Sequence, residues 1–216
     1  LLFFSISSFG FSSSKFLISQ SAFKNYDYPV ALSDFSEVEI KLSSSNLLDK
    51  VISAVITEDI DLAHKIASQI LVEDNENQEA LIIKLVYLYL NNKFNKIEET
   101  RAKLKDTNEL VDFIFFNNNK LKDNKTISKS LVDIVVSSFS TAEQNTLNYN
   151  FLLFYTSLAQ IIDNTNDRAT LIKGELFQNI QKSKLAEKYF LRILPSSSFY
   201  LEAQRSLAIN YSNFLS

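Results

Sequence analysis

Residues 47–71, which read LLDKVISAVITEDIDLAHKIASQIL, decide the fold class. Apolar residues recur in this stretch at intervals of three and four, the period of one face of an α-helix. The polar run Thr57-Glu58-Asp59 interrupts the pattern, and the same period then resumes. Two helices joined by a turn of two or three residues form an αα-hairpin. The stretch therefore predicts a pair of antiparallel helices.

The helical pattern extends beyond this first hairpin. Polar residues 73–78 predict a turn, which is followed by a third helix over 79–91 and a fourth over 94–105. On the other side, Ser43-Ser44-Ser45-Asn46 supplies side chains that cap helices. Residues 24–43 have only a weak period and are predicted to be a connector. Residues 44–105 are therefore predicted to form two successive hairpins.

Glycine and proline are scarce throughout the chain. The 216 residues contain two of each, where average usage would give about 15 glycines and about 11 prolines. Sandwiches, barrels and doubly wound sheets depend on tight turns and glycine-rich loops. The chain is 46% hydrophobic and 22% charged, which is typical of a globular protein with a sizeable core. Together these counts predict an all-α fold with short polar connections.

The composition excludes several kinds of chemistry. There is no cysteine, which excludes disulfides, thiolate zinc sites and cysteine nucleophiles. His64 is the single histidine and is predicted to be a partly exposed surface residue, so a three-histidine metal site is excluded. The two glycines lie far apart, so there is no glycine-rich phosphate loop. We therefore predict a protein without catalytic residues, metal ligands or cofactors.

The first fourteen residues, LLFFSISSFGFSSS, carry no charge. An apolar stretch of this length matches the hydrophobic region of a secretory signal and is too short to span a bilayer. Residues 1–23 are therefore predicted to be an apolar segment that matches a truncated signal peptide, which places the protein in the periplasm or another exported compartment. The alternatives are a buried strand or helix and a cytoplasmic protein. The lack of methionine, including at position 1, predicts a fragment or a processed chain.

Residues also recur at a spacing of 34. Gly174 and Ala208 are 34 apart, and so are Phe177 and Tyr211. On these residues the chain resembles the tetratricopeptide repeat (TPR) family, whose repeats are about this long. That motif places a small residue and then an aromatic residue three later on its first helix. A second small residue is followed by an aromatic residue four later on the second helix.

The match to the TPR motif is fullest near the C-terminus. Gly174, Phe177, Ala186 and Phe190 occupy the four motif places in order, within predicted hairpins over 166–216 that are truncated at the C-terminus. The hairpins predicted over 44–105 depart from the motif, since Leu81 occupies the position where the family has Trp. The middle, 106–165, does not keep the register and is predicted to be an irregular helical region. The resemblance implies an α-solenoid of stacked antiparallel helical hairpins, although other helical-hairpin families give similar spacings.

The resemblance also implies a binding surface, because the first helices of TPR hairpins line the inner face of the solenoid. Such a face holds a protein or an extended peptide. The side chains predicted to point into it are mixed in charge and rich in hydrogen-bonding groups. They are Arg168, Leu171, Glu175, Gln178, Asn179, Glu202, Arg205 and Asn213. The alternative is that these residues form only a solvated face.

The function predicted from these observations is a non-catalytic scaffold or adaptor that binds a protein or peptide in the bacterial envelope. The bias towards Asn, Lys, Ile, Phe and Ser favours a bacterial source. The alternative is a structural spacer, or the repeat region of a larger enzyme whose catalytic domain lies outside this sequence. The net charge of −3 argues against a nucleic-acid partner. No transmembrane span is predicted.

Overall fold

The structure is a computed structural model that describes residues 6–36, 43–102, 109–141 and 147–215. Within these ranges the chain forms twelve helices and one pair of two-residue strands, which confirms the predicted all-α class. The chain divides into two units, Leu1–Lys105 and Asp106–Ser216. The helices of the first unit are α1 (Ile6–Lys24), α2 (Tyr28–Ser36), α3 (Ser44–Ile56), α4 (Ile60–Glu73), α5 (Gln78–Leu90) and α6 (Phe94–Ala102).

The first unit is built from helices that pack on their neighbours in sequence. Helices α3 to α6 follow the predicted bounds closely, because their apolar residues repeat with a helical period. Asp59 and Asn77 begin α4 and α5 as N-caps, each accepting a hydrogen bond from the backbone N–H three residues later. Helix α3 also contacts α5, so the first helices of two successive hairpins lie side by side.

The predicted connector over 24–43 contains a helix, and here the structure differs from the sequence prediction. Helix α2 buries Tyr28, whose side chain is 2% exposed, and Ala31. Pro29 occupies its first turn, where the missing N–H leaves no helical hydrogen bond unmade. Packing against α1 and α3 stabilises this short helix, which its weak period did not indicate.

Part of the apolar N-terminal segment belongs to the folded unit. Residues 1–5 lie outside the described residues, and α1 runs from Ile6. Ser19, Ala22 and Phe23 are buried near its end, and the Phe23 ring meets that of Tyr28 edge to face. Export remains a prediction from the sequence. None of the helices that the structure describes combines the length and the apolar character needed to cross a bilayer.

Four of the hairpin turns that the structure describes share one geometry, and it does not use glycine. Tyr26, Glu58, Asn92 and Gln181 each follow a helix end with φ between 56° and 68°. The next residue in each case donates its N–H to the carbonyl five residues back, at 2.8–2.9 Å. This is the Schellman arrangement, in which glycine is the usual left-handed residue. The chain therefore forms its hairpins with other residues in a conformation that costs them free energy.

The helices of the second unit are α7 (Glu109–Phe115), α8 (Asn124–Thr141), α9 (Tyr149–Ile162), α10 (Asp167–Asn179), α11 (Ser183–Phe190) and α12 (Tyr200–Leu215). Between α7 and α8, strand β1 (Phe116–Asn117) pairs antiparallel with β2 (Lys120–Leu121). Asn118 and Asn119 link the strands with positive φ, as a type I′ turn requires. The sequence predicted an irregular helical region over 106–165 but not this pair of strands.

In the second unit α8 packs on α9, α9 on α10, α10 on α11 and α11 on α12. Gly174 lies where α10 packs on α11. A Cβ added to Gly174 would lie 2.5 Å from Cε1 of the buried Phe190 ring, so glycine is needed for the two helices to approach. The Phe177 ring stacks on that of Tyr189, with centroids 5.5 Å apart, and Ala186 is fully buried beneath them.

Candidate partner-binding surface

The predicted binding residues lie on α10 and α12. Asn179, Glu202 and Arg205 are exposed, whereas Arg168, Glu175 and Gln178 are half-buried. The side chain of Asn213 lies outside the described residues. Most of the set is therefore accessible from solvent to some degree.

Leu171 is the exception in the predicted set. Its side chain is only 3% exposed, so it belongs to the core and cannot contact a partner at the surface. Helix α10 packs against α9, α11 and α12, and an apolar residue beside its polar face is covered by these neighbours. The spacing of 34 identified the helix but did not show how many sides of it are covered.

Three of the predicted residues come together where α10 lies beside α12. Gln178 Nε2 donates a hydrogen bond to the backbone carbonyl of Ser206 at 3.2 Å. Burial raises the pKa of Glu175, and the nearby carboxylate of Glu202 raises it further. This α10–α12 edge is thus a polar strip with two acidic side chains close to each other.

Arg168 lies in a different place, beside α8. Its Nη1 is 3.6 Å from Oδ1 of Asp133, and the other oxygen of that carboxylate is 2.7 Å from Lys129 Nζ. Arg168 is almost two helical turns from Glu175 along α10. The predicted set therefore divides between two neighbouring surfaces of the second unit.

Arg168 lines a groove of about 370 Å³, here called the basic groove. Three cationic side chains face one buried carboxylate, with two polar residues and two apolar ones completing the wall. The lining residues are Lys125, Lys129, Val132, Asp163, Thr165, Asn166, Arg168 and Phe199. Sequence reasoning found Arg168 alone among them, because α8 does not keep the spacing of 34.

Hydrogen bonds hold the floor of the basic groove in one conformation. Asp163 is 8% exposed, and its Oδ1 accepts from the backbone N–H and the hydroxyl of Thr165, at 3.0 and 2.6 Å. Asn166 caps α10 through its Oδ1 and donates its Nδ2 to Ser128 Oγ at 2.8 Å. Ser128 in turn donates to the carbonyl of Ala159 at 2.8 Å. The groove is therefore preformed, which lowers the entropic cost of binding.

The groove offers hydrogen bonds and charge. Lys125, Lys129 and Arg168 present N–H donors, while Val132 and Phe199 supply an apolar wall. Such a mixture is typical of sites that fix a ligand by a few polar groups on a largely apolar surface. Across the described ranges there is no group of three or more His, Asp or Glu side chains placed to hold a metal ion.

Comparisons with known proteins give no match for this chain. No protein-family model matches it, and neither a curated protein nor a solved structure matches it significantly. The likeness to TPR repeats therefore depends on the residues of this chain alone, above all the contact between Gly174 and Phe190.

Proposed function

We propose that the chain is a non-catalytic scaffold that binds a protein or an extended peptide through its second unit. The observation that carries this proposal is the basic groove, which combines a preformed floor, three cationic side chains and an apolar wall. Its volume of about 370 Å³ lies at the lower end of the range of roughly 300–1,000 Å³ that ligand pockets cover. It suits a short part of a longer partner.

The bound segment in this proposal extends from the basic groove along α10 to the α10–α12 edge. Arg168 lies in the groove, and Glu175 and Glu202 lie at the edge. A partner with an acidic residue for the groove and a basic residue for the edge would match the charges of both surfaces. Complementary charges of this kind favour one register of an extended peptide over others.

The proposal extends to architecture and location. In each unit successive helices pack in pairs, and four of the turns that close such pairs, three in the first unit and one in the second, share one geometry. This supports an α-solenoid of TPR-like hairpins, whose inner face suits an extended partner. The apolar segment at residues 1–23 supports an exported protein of the bacterial envelope, with the cytoplasm as the alternative.

Site-specific photocrosslinking in cells tests the binding function. A photoreactive amino acid at Lys125 samples the basic groove, and the same amino acid at exposed Lys188 on α11 is the matched control in the same unit. We expect a discrete crosslinked adduct from position 125 that is missing from position 188. Charge reversal at the groove, Lys129→Glu with Arg168→Glu, should abolish that adduct, whereas Lys188→Glu should leave it.

Two results would contradict the proposal. Equal adducts from both positions would show that contacts are not selective, and adducts from neither would favour a structural spacer. Far-UV circular dichroism checks that the charge-reversed chain keeps its helices. We expect it to do so, since the ion pairs of Lys129 and Arg168 with Asp133 lie at the surface, where each such pair contributes about 1 kcal/mol or less.

A further inference from the structure

A cluster of positive charge lies in the first unit around two stacked rings, and it is independent of the proposed function. The imidazole of His64 on α4 lies flat on the ring of Tyr87 on α5, with centroids 3.8 Å apart and planes at 9°. Lys93, in the turn after α5, places its Nζ 5.8 Å from the centre of the Tyr87 ring. Lys84 is three residues before Tyr87, on the same face of α5. These four residues are here called the lysine–histidine cluster.

The two lysines of this cluster are without an ion pair in the part of the chain that the structure describes. Within residues 6–36, 43–102, 109–141 and 147–215, neither Lys84 nor Lys93 forms an ion pair. Lys65, next to His64 on α4, adds a further exposed cation without an ion pair among those residues. The chain as a whole carries a net charge of −3, so this local excess of positive charge runs against the overall balance. Such a patch attracts anions.

The positive charge of this cluster also affects the pKa of His64. Burial lowers the pKa of His64, and Lys84 and Lys93 lower it further, while Asp61 on the same helix has the opposite effect. His64 Nδ1 is buried without a hydrogen-bond partner among the described residues. The imidazole is therefore neutral near pH 7, and the positive charge of the cluster comes from its lysines.

We propose that Lys84 and Lys93, beside the stacked rings of His64 and Tyr87, bind a phosphate-type dianion. A phosphate group carries a charge of about −1.5 to −2 near pH 7, which matches two lysines that form no ion pair among the described residues. Lysine binds phosphate as a point charge, whereas planar carboxylates are better recognised by the two parallel N–H groups of arginine. The source is free phosphate or a phosphorylated side chain of a partner.

Binding is coupled to the protonation of His64. A dianion at Lys84 and Lys93 neutralises the charges that lower the pKa of His64, so that pKa rises when the anion binds. Linkage is reciprocal, and the anion therefore binds more tightly to the protonated form. Affinity rises as the pH falls through the titration of His64.

The single histidine allows a direct test by NMR, because the ring signals belong to His64 without assignment. Sulfate is the probe for the pH titration, since it keeps a charge of −2 over the whole range. Chloride at matched ionic strength controls for screening, and acetate is the carboxylate comparison. We expect sulfate to shift the His64 signals to saturation and to raise the pKa above its value in chloride, with little effect from acetate.

Variants decide whether the two lysines carry the effect. Lys84→Gln with Lys93→Gln should weaken sulfate binding at least tenfold, whereas Lys84→Arg with Lys93→Arg keeps the charges and should retain most of it. Lys184→Gln with Lys188→Gln, two exposed lysines on α11 in the second unit, is the matched control and should change nothing. The proposal is overturned if chloride reproduces the sulfate response, if acetate binds as tightly, or if the double Gln variant binds as the parent does.

The same signals distinguish the two sources of the dianion. Inorganic phosphate and N-acetyl-phosphoserine amide are compared at pH 7.5 against the parent chain. Tighter binding of the phosphoserine compound assigns the dianion to a phosphorylated partner, and tighter binding of inorganic phosphate assigns it to the free anion. Failure of both to shift His64 would overturn the proposal and leave the proposed scaffold function unaffected.

Discussion

The close contact between Gly174 and Phe190 makes a single methyl group a sharp test of how α10 and α11 pack. A Cβ at position 174 would lie 2.5 Å from Cε1, 2.8 Å from Cδ1 and 3.1 Å from Cζ of the Phe190 ring. Carbon atoms in contact lie about 3.5–4.0 Å apart, so the ring must move by about 1 Å. The ring is fully buried and cannot turn into solvent. Gly174→Ala should therefore strain the hairpin.

Two opposing terms set the size of the effect. Alanine is better than glycine in a helix interior by about 1 kcal/mol. Inserting a methyl group into a well-packed core costs about 1–3 kcal/mol. We expect the strain to exceed the gain, so that Gly174→Ala lowers the free energy of unfolding by about 1 kcal/mol.

The control lies 34 residues further along. Ala208 occupies the corresponding place on α12, where its side chain is exposed. Ala208→Gly should lower the free energy of unfolding by about 1 kcal/mol through helix propensity alone. Urea denaturation followed by far-UV circular dichroism measures both variants. Opposite substitutions at the two positions are thus expected to destabilise the protein, which propensity alone cannot explain.

A double-mutant cycle isolates the contact. Phe190→Leu shortens the side chain that the new methyl group meets, so Gly174→Ala should be much less costly in that background. We expect a favourable coupling of about 1–2 kcal/mol between the two substitutions. The reasoning is refuted if Gly174→Ala stabilises the parent chain by the full propensity gain, or if the two substitutions are additive within about 0.5 kcal/mol.

Two further substitutions test the hairpin turn and a half-buried acid. Gln181 has φ 60° in the turn between α10 and α11. Gln181→Gly should raise the free energy of unfolding by about 0.5–1 kcal/mol, because glycine adopts this conformation without steric strain, and an unchanged or lower midpoint in urea would contradict this. Burial raises the pKa of Asp49 to about 6, against a smaller opposing effect of Lys24. The folded chain then holds this proton more tightly than the unfolded chain, so Asp49 adds stability at low pH that is lost as the pH rises from about 4 through about 6. Asp49→Asn should remove that part of the pH dependence and stabilise the protein at pH 7.5, and denaturation curves that keep the parent's pH dependence would count against the argument.

The candidate site was predictable only in part, and Arg168 shows why. The spacing of 34 predicted that polar residues of α10 line a binding face, and the structure places two of them, Glu175 and Gln178, near α12. It could not indicate that Asp133 on α8 would form an ion pair with Arg168. That contact joins residues 35 positions apart on helices with no common period. Leu171 was wrongly predicted to lie on the surface for a related reason. A repeat spacing shows which residues occupy equivalent positions, but it does not show how many neighbouring helices cover a side chain.

The sequence by itself determined the fold class and the helices α3 to α6. Helical periodicity, N-caps such as Asp59 and Asn77, and the scarcity of glycine are local properties that can be read along the chain. Only the tertiary structure decided that Tyr28–Ser36 is helical and that Lys125 and Arg168 line the same groove. It alone also showed that the Phe190 ring occupies the space that a Cβ at Gly174 would fill. These outcomes depend on which distant surfaces meet and exclude water, and burial of that kind overrides weak local preferences.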